Sequence, residues 1–223
     1  MDCISLSILV GLAATLFSLP PAVAIAWFLE RTKSRARGFV QTLVMLPLVL
    51  PPVVIGYLLL RAFSPRGALG RALAWLGAPV AFHWLGAVTA AAVVGLPLFV
   101  MMIGQAMKAV DPRFEIVSRS LGRAPWATFW RVTFPLCWPG ILAGAAISFA
   151  RGLGEFGATI VLAGRIPGET ETIPLRIYAE LDAPGGEGRV AGLVAVSVLL
   201  CVACVVVSRV LEAWYHRRLE LER

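Results

Sequence analysis

Five long apolar runs restrict what this chain can fold into more than any motif it carries. They cover residues 4–29, 39–60 and 84–107, a stretch beginning at Phe134, and residues 190–211. A helix of about 20 apolar residues crosses the hydrocarbon of a bilayer. The 223 residues are 59% hydrophobic and 15% charged, whereas soluble domains carry about 25% charged residues. Too few charges remain to cover a soluble surface. The expected fold is an all-α integral membrane protein with five transmembrane helices. Pro20, Pro21, Pro47, Pro51 and Pro52 fall inside the runs. Such prolines are tolerated where neighbouring helices satisfy the freed carbonyls, so kinked helices in a bundle are expected. Asp2 precedes the first run and no A-x-A site follows it, so that run reads as a span and not as a cleaved leader.

Lys and Arg gather in cytoplasmic loops. Residues 30–38, 108–131 and 209–223 share one side of a five-span chain and hold 13 of them; the opposite loops hold 6. The N-terminus is then expected outside and the C-terminus in the cytoplasm. The external loop 164–189 agrees: Glu169, Glu171, Glu180, Asp182 and Glu187 outnumber its three arginines. The net charge of +7 is read as topology and not as a nucleic-acid surface.

Cys201 and Cys204 form a C-x-x-C inside an apolar run with no His or acid nearby, which suits buried small side chains better than redox or metal chemistry. His83 and His216 stand far apart, and no metal site is expected. Residues 152–157 read GLGEFG and fit the dinucleotide pattern G-x-G-x-x-G. That pattern needs a strand before it and a helix after it. Here an uncharged Ala- and Leu-rich stretch precedes it, so the glycines read as a break in a membrane helix.

The loop between the third and fourth runs, residues 108–133, is longer than a connector requires. Asp111-Pro112 is a helix-start signal. Phe114, Val117, Ser118 and Leu121 recur at helical spacing, with Arg113, Glu115, Arg119 and Arg123 between them. Gly122 is placed to end that helix, and an amphipathic stretch from Pro125 leads back to the membrane at Phe134-Pro135. Such a helix serves either to dock a partner or to lie on lipid.

Gly122 followed by Val132-x-Phe134-Pro135 resembles the loop motif of bacterial ABC-importer permeases. The sequence departs from the motif at its Glu-Ala-Ala triplet: Val117 and Ser118 stand at the alanines and Ile116 at the acid, with Glu115 one residue earlier. Residues 46–57 (LPLVLPPVVIGY), 154–160 (GEFGATI), 166–170 (IPGET) and 172–174 (TIP) look like the molybdate permease subunits of that superfamily. The resemblance covers residues 5–212, which would form the transmembrane domain, with 213–223 as a cytoplasmic tail. It implies a multi-pass protein of the bacterial inner membrane, paired with a second copy of itself. It implies as partners two ATP-binding cassette subunits that use ATP and Mg, and an external molybdate-binding protein. No cofactor would bind this chain, and it would not be an enzyme by itself; indeed no G-x-x-x-x-G-K-[ST] occurs in it. Loop residues Glu115, Val117, Ser118, Leu121, Gly122, Arg123, Pro125 and Pro135 would couple it to the ATPase. The resemblance implies molybdate or tungstate as substrate; the sulfate/thiosulfate permeases share the general pattern and form the runner-up.

Four residues around the glycine break are candidates for the substrate path or gate. Arg151 and Glu155 are four apart and can face each other on a helix; ionisable groups at membrane depth usually face the bundle interior or water. Ser148 and Thr159 offer hydroxyls to an oxyanion. Gly152, Gly154 and Gly157 permit a bend, and Gly140 and Gly144 form a G-x-x-x-G suited to close helix packing, within one subunit or at a dimer seam. An ion-driven secondary transporter is the alternative of another class, but the first, second, third and fifth runs hold no acid, which leaves no ionisable relay there.

Overall fold

The computed structural model describes residues 2–32, 34–65, 67–184 and 186–221, and every regular element among them is helical. In chain order these are α1 (Cys3–Arg31), α2 (Ala36–Val49), α3 (Pro52–Phe63), α4 (Ala68–Trp75), α5 (Trp84–Ala109), α6 (Pro112–Ser120), α7 (Pro125–Thr128), a π turn (Phe129–Thr133), α8 (Phe134–Leu153), α9 (Gly157–Leu162), α10 (Ile173–Leu181) and α11 (Glu187–Leu221). α1, α5, the continuous stretch Pro125–Leu153 and α11 are each long and apolar enough to cross a membrane.

The second apolar run departs from expectation. It forms two half-length helices, α2 and α3, bent by 114° where one kinked span was expected. Leu50 and Pro51 at the bend are both extended, with ψ of 141° and 133°. Each precedes a proline, whose ring disfavours helical backbone at the residue before it. Pro51 and Pro52 also donate no N–H to the turn. A single proline, Pro47 in α2, is absorbed without such a break.

The core lies between α1, α5 and α8. Phe99, Ile103 and Met107 of α5 pack with Ala26 and Leu29 of α1, Cys137 and Ile141 of α8, and Phe129. Towards the other end Leu6, Val10 and Ala14 pack on Ala87, Val88 and Ala91. α11 is packed along α8 and leaves Val198, Val202 and Val206 exposed. Its helix continues unbroken past the apolar run to Leu221. Lys33, Arg66 and Arg223, which enter the charge balance, lie outside the described residues, as do the side chains of His216, Arg217 and Arg218.

Candidate functional site

The loop helix begins and ends where its residues dictate. Asp111 Oδ1 accepts the Arg113 N–H at 2.9 Å, and Pro112 occupies the first turn of α6. At the far end Gly122 takes a φ of 82°, a left-handed conformation that glycine adopts without a Cβ penalty. The Gly122 N–H donates to Arg119 O at 2.9 Å and the Arg123 N–H to Ser118 O at 3.4 Å, the two bonds of a Schellman stop. Pro125 then opens α7. Residues 125–133 are helical and run without interruption into α8, with Trp126 and Trp130 exposed and Thr128, Phe129 and Thr133 buried. The Phe134 N–H donates to Phe129 O, so the backbone widens to a π turn just before Pro135. Proline's ring crowds the carbonyl four residues back, here Arg131, and offers it no N–H; a π bulge relieves that conflict.

The inner side of α6 is anchored by polar groups. Glu115 Oε1 accepts from Arg31 Nε at 2.9 Å and from Thr133 Oγ1 at 2.8 Å. Arg31 Nη2 also donates to Met107 O at 2.9 Å. Both charged side chains are largely buried, 19% and 13% exposed. The hydroxyls of Ser118 and Thr128 meet at 3.1 Å. Glu115 therefore joins the end of α1, the loop helix and the foot of α8, and Arg31 brings in the end of α5. The outer side mixes apolar and basic groups: Phe114, Ile116, Val117 and Leu121 are exposed, as are Trp126 and Trp130, together with Arg113, Arg119 and Arg123. Arg113, Phe114, Val117, Leu121, Arg123 and Val132 border a groove of about 450 Å³. Of the eight predicted loop residues, Glu115 and Ser118 are anchored inward, while Val117, Leu121, Gly122, Arg123, Pro125 and Pro135 are exposed. Arg31 lies 84 positions from Glu115, beyond any local spacing signal, and Thr128 and Thr133 reach their partners only because the chain turns back at Gly122.

The glycine break forms where expected, between α8 and α9. Arg151 Nη1 meets Glu155 Oε2 at 3.0 Å, and Glu155 Oε1 accepts the Ala158 N–H at 2.8 Å. One buried carboxylate, 2% exposed, thereby neutralises Arg151 and caps the first turn of α9. Ser148 is buried facing Gly95, where a Cβ would stand 3.3 Å from its Oγ. Thr159 Oγ1 is buried with no hydrogen-bond partner among the described residues. Of these four residues only Arg151 and Glu155 bond to each other.

The glycines have separate roles. A Cβ at Gly144 would lie 2.9 Å from Met102 Cβ and 3.4 Å from Phe99, and Gly140 is also buried. At Gly144 the G-x-x-x-G packs against α5 of its own chain. Gly152 meets Gly11 of α1, and a Cβ at Gly157 would stand 2.8 Å from Pro52 Cβ at the start of α3. The breaks in the second and fourth runs therefore touch. Gly154 ends α8 and has only carbonyls of its own turn nearby, so it provides the break and no packing contact.

A second polar assembly lies at the opposite end of the core. Arg165, Glu171, Arg176, Glu180 and Arg189 form a chain of ion pairs of 2.7, 3.1, 2.7 and 2.7 Å. Burial pushes the Glu171 carboxyl up, but hydrogen bonds from Arg165 and Arg176 outweigh it and hold the group below the usual carboxylate range. The Arg189 hydrogen bond, reinforced by Arg176, does the same for Glu180 against its burial. The Ile173 N–H donates to Ser7 Oγ at 2.7 Å and ties α10 to α1. The charge balance counted these acids without pairing them, although Arg176 and Glu180 stand at helical spacing.

Residues 22–221 match the family described as binding-protein-dependent transport system inner membrane component. The molybdenum transport system permease protein ModB of Escherichia coli is 44% identical over 208 residues, 93% of this chain and 91% of its own length. That of Haemophilus influenzae is 41% identical over 221 residues, 99% and 95% of the two chains. The sulfate transport system permease protein CysT of Escherichia coli is 34% identical over 197 residues, 87% and 71%. Among solved structures, inward-facing conformations of the MetNI methionine ABC transporter share the fold with a TM-score of 0.69 and 15% identity, covering 94% of this chain and 91% of that one. With its several membrane-length apolar helices and a match that covers most of its length, this multi-pass chain belongs to the inner membrane components of binding-protein-dependent transport systems.

Proposed function

We propose that this chain is the membrane-spanning subunit of an ATP-driven importer and passes molybdate into the cytoplasm. The observation that carries the substrate is the 44% and 41% identity to molybdenum permeases over nearly the full length. The chain works as a pair with a second copy, on two ATP-binding cassette subunits that bind ATP and Mg, and receives its anion from an external molybdate-binding protein. It holds no cofactor and catalyses no reaction of its own. Residues 5–212 form the transmembrane domain and 213–223 the cytoplasmic tail. The N-terminus lies outside and the loop 108–133 in the cytoplasm, as the 13 against 6 distribution of Lys and Arg supports.

The geometry suggests how the pair alternates between inward- and outward-open states. The exposed face of Phe114, Val117 and Leu121 docks in the ATPase, while Glu115 and Ser118 hold α6 to the bundle. Because Glu115 and Arg31 join three helix ends, a push on α6 moves the ends of α1, α5 and α8 together. The touching breaks at Pro52 and Gly157 are where the far half of the molecule yields. Ser148, Arg151, Glu155 and Thr159 form the external gate, with Glu155 neutralising Arg151 until an anion passes.

A second reading, sulfate, is supported by the 34% identity to CysT over 197 residues. Uptake of labelled molybdate into vesicles holding the complete importer, with excess sulfate present, separates the two. Uptake that resists sulfate supports molybdate; uptake abolished by sulfate moves the chain to the sulfate branch.

A further inference from the structure

At the loop end of the core, beside the Arg31–Glu115 joint, α1, α2 and α5 border a pocket of about 180 Å³ that opens to the surface at Arg37, Gln41, Gln105 and Lys108. Its lining includes Glu30, Arg37, Gln41, Gln105 and Lys108, with Gly104 at its wall. Of these groups only Glu30 is largely buried; the other four present their donors at the pocket's open side. Lys108 Nζ stands 3.3 Å from Glu30 Oε1, longer than the 2.7–2.9 Å of a tight ammonium–carboxylate bond. Glu30 is 14% exposed and lies against Gly104, where a Cβ would come within 3.4 Å of Oε1. The side chains of Arg37, Gln41 and Gln105 line the pocket with no hydrogen-bond or ion-pair partner among the described residues.

The geometry points to a cytoplasmic-side binding pocket for a tetrahedral oxyanion, held by Arg37 and Lys108 with Gln41 and Gln105 as amide donors. Two cations face one acid, so the pocket carries a net positive charge. At about 30 Å³ per water in the liquid, the volume holds roughly six waters, enough for a central atom with four oxygens. The Glu30 carboxylate occupies Lys108 while no anion is present, and an arriving oxyanion takes over the ammonium. This deepens, and rests on, the importer reading: the anion pauses here after crossing, before release. The same chemistry belongs to the phosphate of an anionic lipid headgroup, so the test separates the two sources.

Lys33 and Lys108 are the only lysines of this chain, so an uncharged amine reagent followed by peptide mapping reads Lys108 against Lys33. The complete importer is labelled in phosphatidylcholine vesicles open to the reagent, with and without molybdate, and again with phosphatidylglycerol added. At tenfold its Kd, molybdate slows Lys108 labelling by roughly tenfold. Arg37→Gln raises the half-protecting concentration at least about tenfold, the loss of one charged hydrogen-bond donor, and Glu30→Gln lowers it. Protection by phosphatidylglycerol alone assigns the pocket to a lipid headgroup. Protection by neither overturns the proposal. So does molybdate protection that Arg37→Gln leaves unchanged. Uptake measured on the same vesicles keeps the two readings apart: normal uptake without protection removes the pocket and leaves the importer standing.

Discussion

Arg31 and Glu115 lie 84 positions apart in the chain and meet at 2.8 Å. This pair fixes the loop helix to the bundle, because the Glu115 carboxylate also holds Thr133 and the Arg31 guanidinium also holds the Met107 carbonyl. Glu115→Ala leaves Arg31 without its carboxylate. Hydrogen bonds to charged groups contribute about 1.5–3 kcal/mol, so the variant inserts but loses stability on that order. Its uptake falls at least tenfold (about 1.4 kcal/mol) while ATP hydrolysis persists. Measuring both rates on one vesicle preparation checks this; equal loss of the two means that the joint only supports the fold.

Gly122 separates backbone from contact. A Cβ there meets nothing within 4 Å, but φ is 82°. Gly122→Ala therefore costs about 1 kcal/mol through conformation alone and retains most uptake. Gly122→Pro cannot take that φ and loses the N–H bond to Arg119 O, so it uncouples hydrolysis from uptake. Thermal unfolding and coupled uptake of the two variants give the comparison.

The touching helix breaks tolerate no added volume. A Cβ at Gly56 would lie 2.7 Å from the Ala158 carbonyl, and overpacking of this kind costs about 1–3 kcal/mol. Gly56→Ala should lower the unfolding temperature and slow uptake. Gly38→Ala, where nothing lies within 4 Å, should not. Equal behaviour of the two would show that the α3–α9 contact yields without consequence.

Glu155 has two tasks that substitution can divide. Glu155→Gln keeps an oxygen for the Ala158 N–H and loses the charge opposite Arg151; Glu155→Ala loses both. The account expects nearly wild-type stability with reduced uptake for the first, and lower stability for the second. Matching unfolding curves for the two variants would contradict the capping role.

Acid should act through the Arg165–Arg189 chain of pairs. Glu171 and Glu180 have depressed pKa values, so their stabilisation is complete above the unfolded value of about 4.3. It is lost as pH falls through the folded values. Stability is therefore flat through mildly acid conditions and declines below about pH 4. Glu171→Gln should lower stability at neutral pH and flatten that decline; an unchanged pH profile would argue against the network.

Local signals in the sequence were readable where a few neighbouring residues decide the structure. Asp111-Pro112 starts α6 and Gly122 stops it, and Arg151 finds Glu155 one turn on. The prolines at Leu50–Pro52 mark a break but not its angle; the 114° bend sets α3 against α9, a contact between segments far apart in the chain. Glu115 stands one residue before the motif's acid position, and its partners Arg31 and Thr133 come from other helical segments, so its role is not legible locally. Lys108 enters the sequence only as a loop cation and Glu30 carries no signal of its own; the fold brings the two together across one pocket.

The central claim is that ATP, acting on the loop helix through a partner, moves molybdate through this chain. The most direct measurement counts labelled molybdate taken up and ATP hydrolysed in vesicles holding this chain, its ATPase and its binding protein, for the wild type and Glu115→Ala. The account predicts that the wild type needs ATP and that the variant hydrolyses ATP with little uptake. Uptake driven by an ion gradient without ATP, or a variant that transports as well as the wild type, would contradict it.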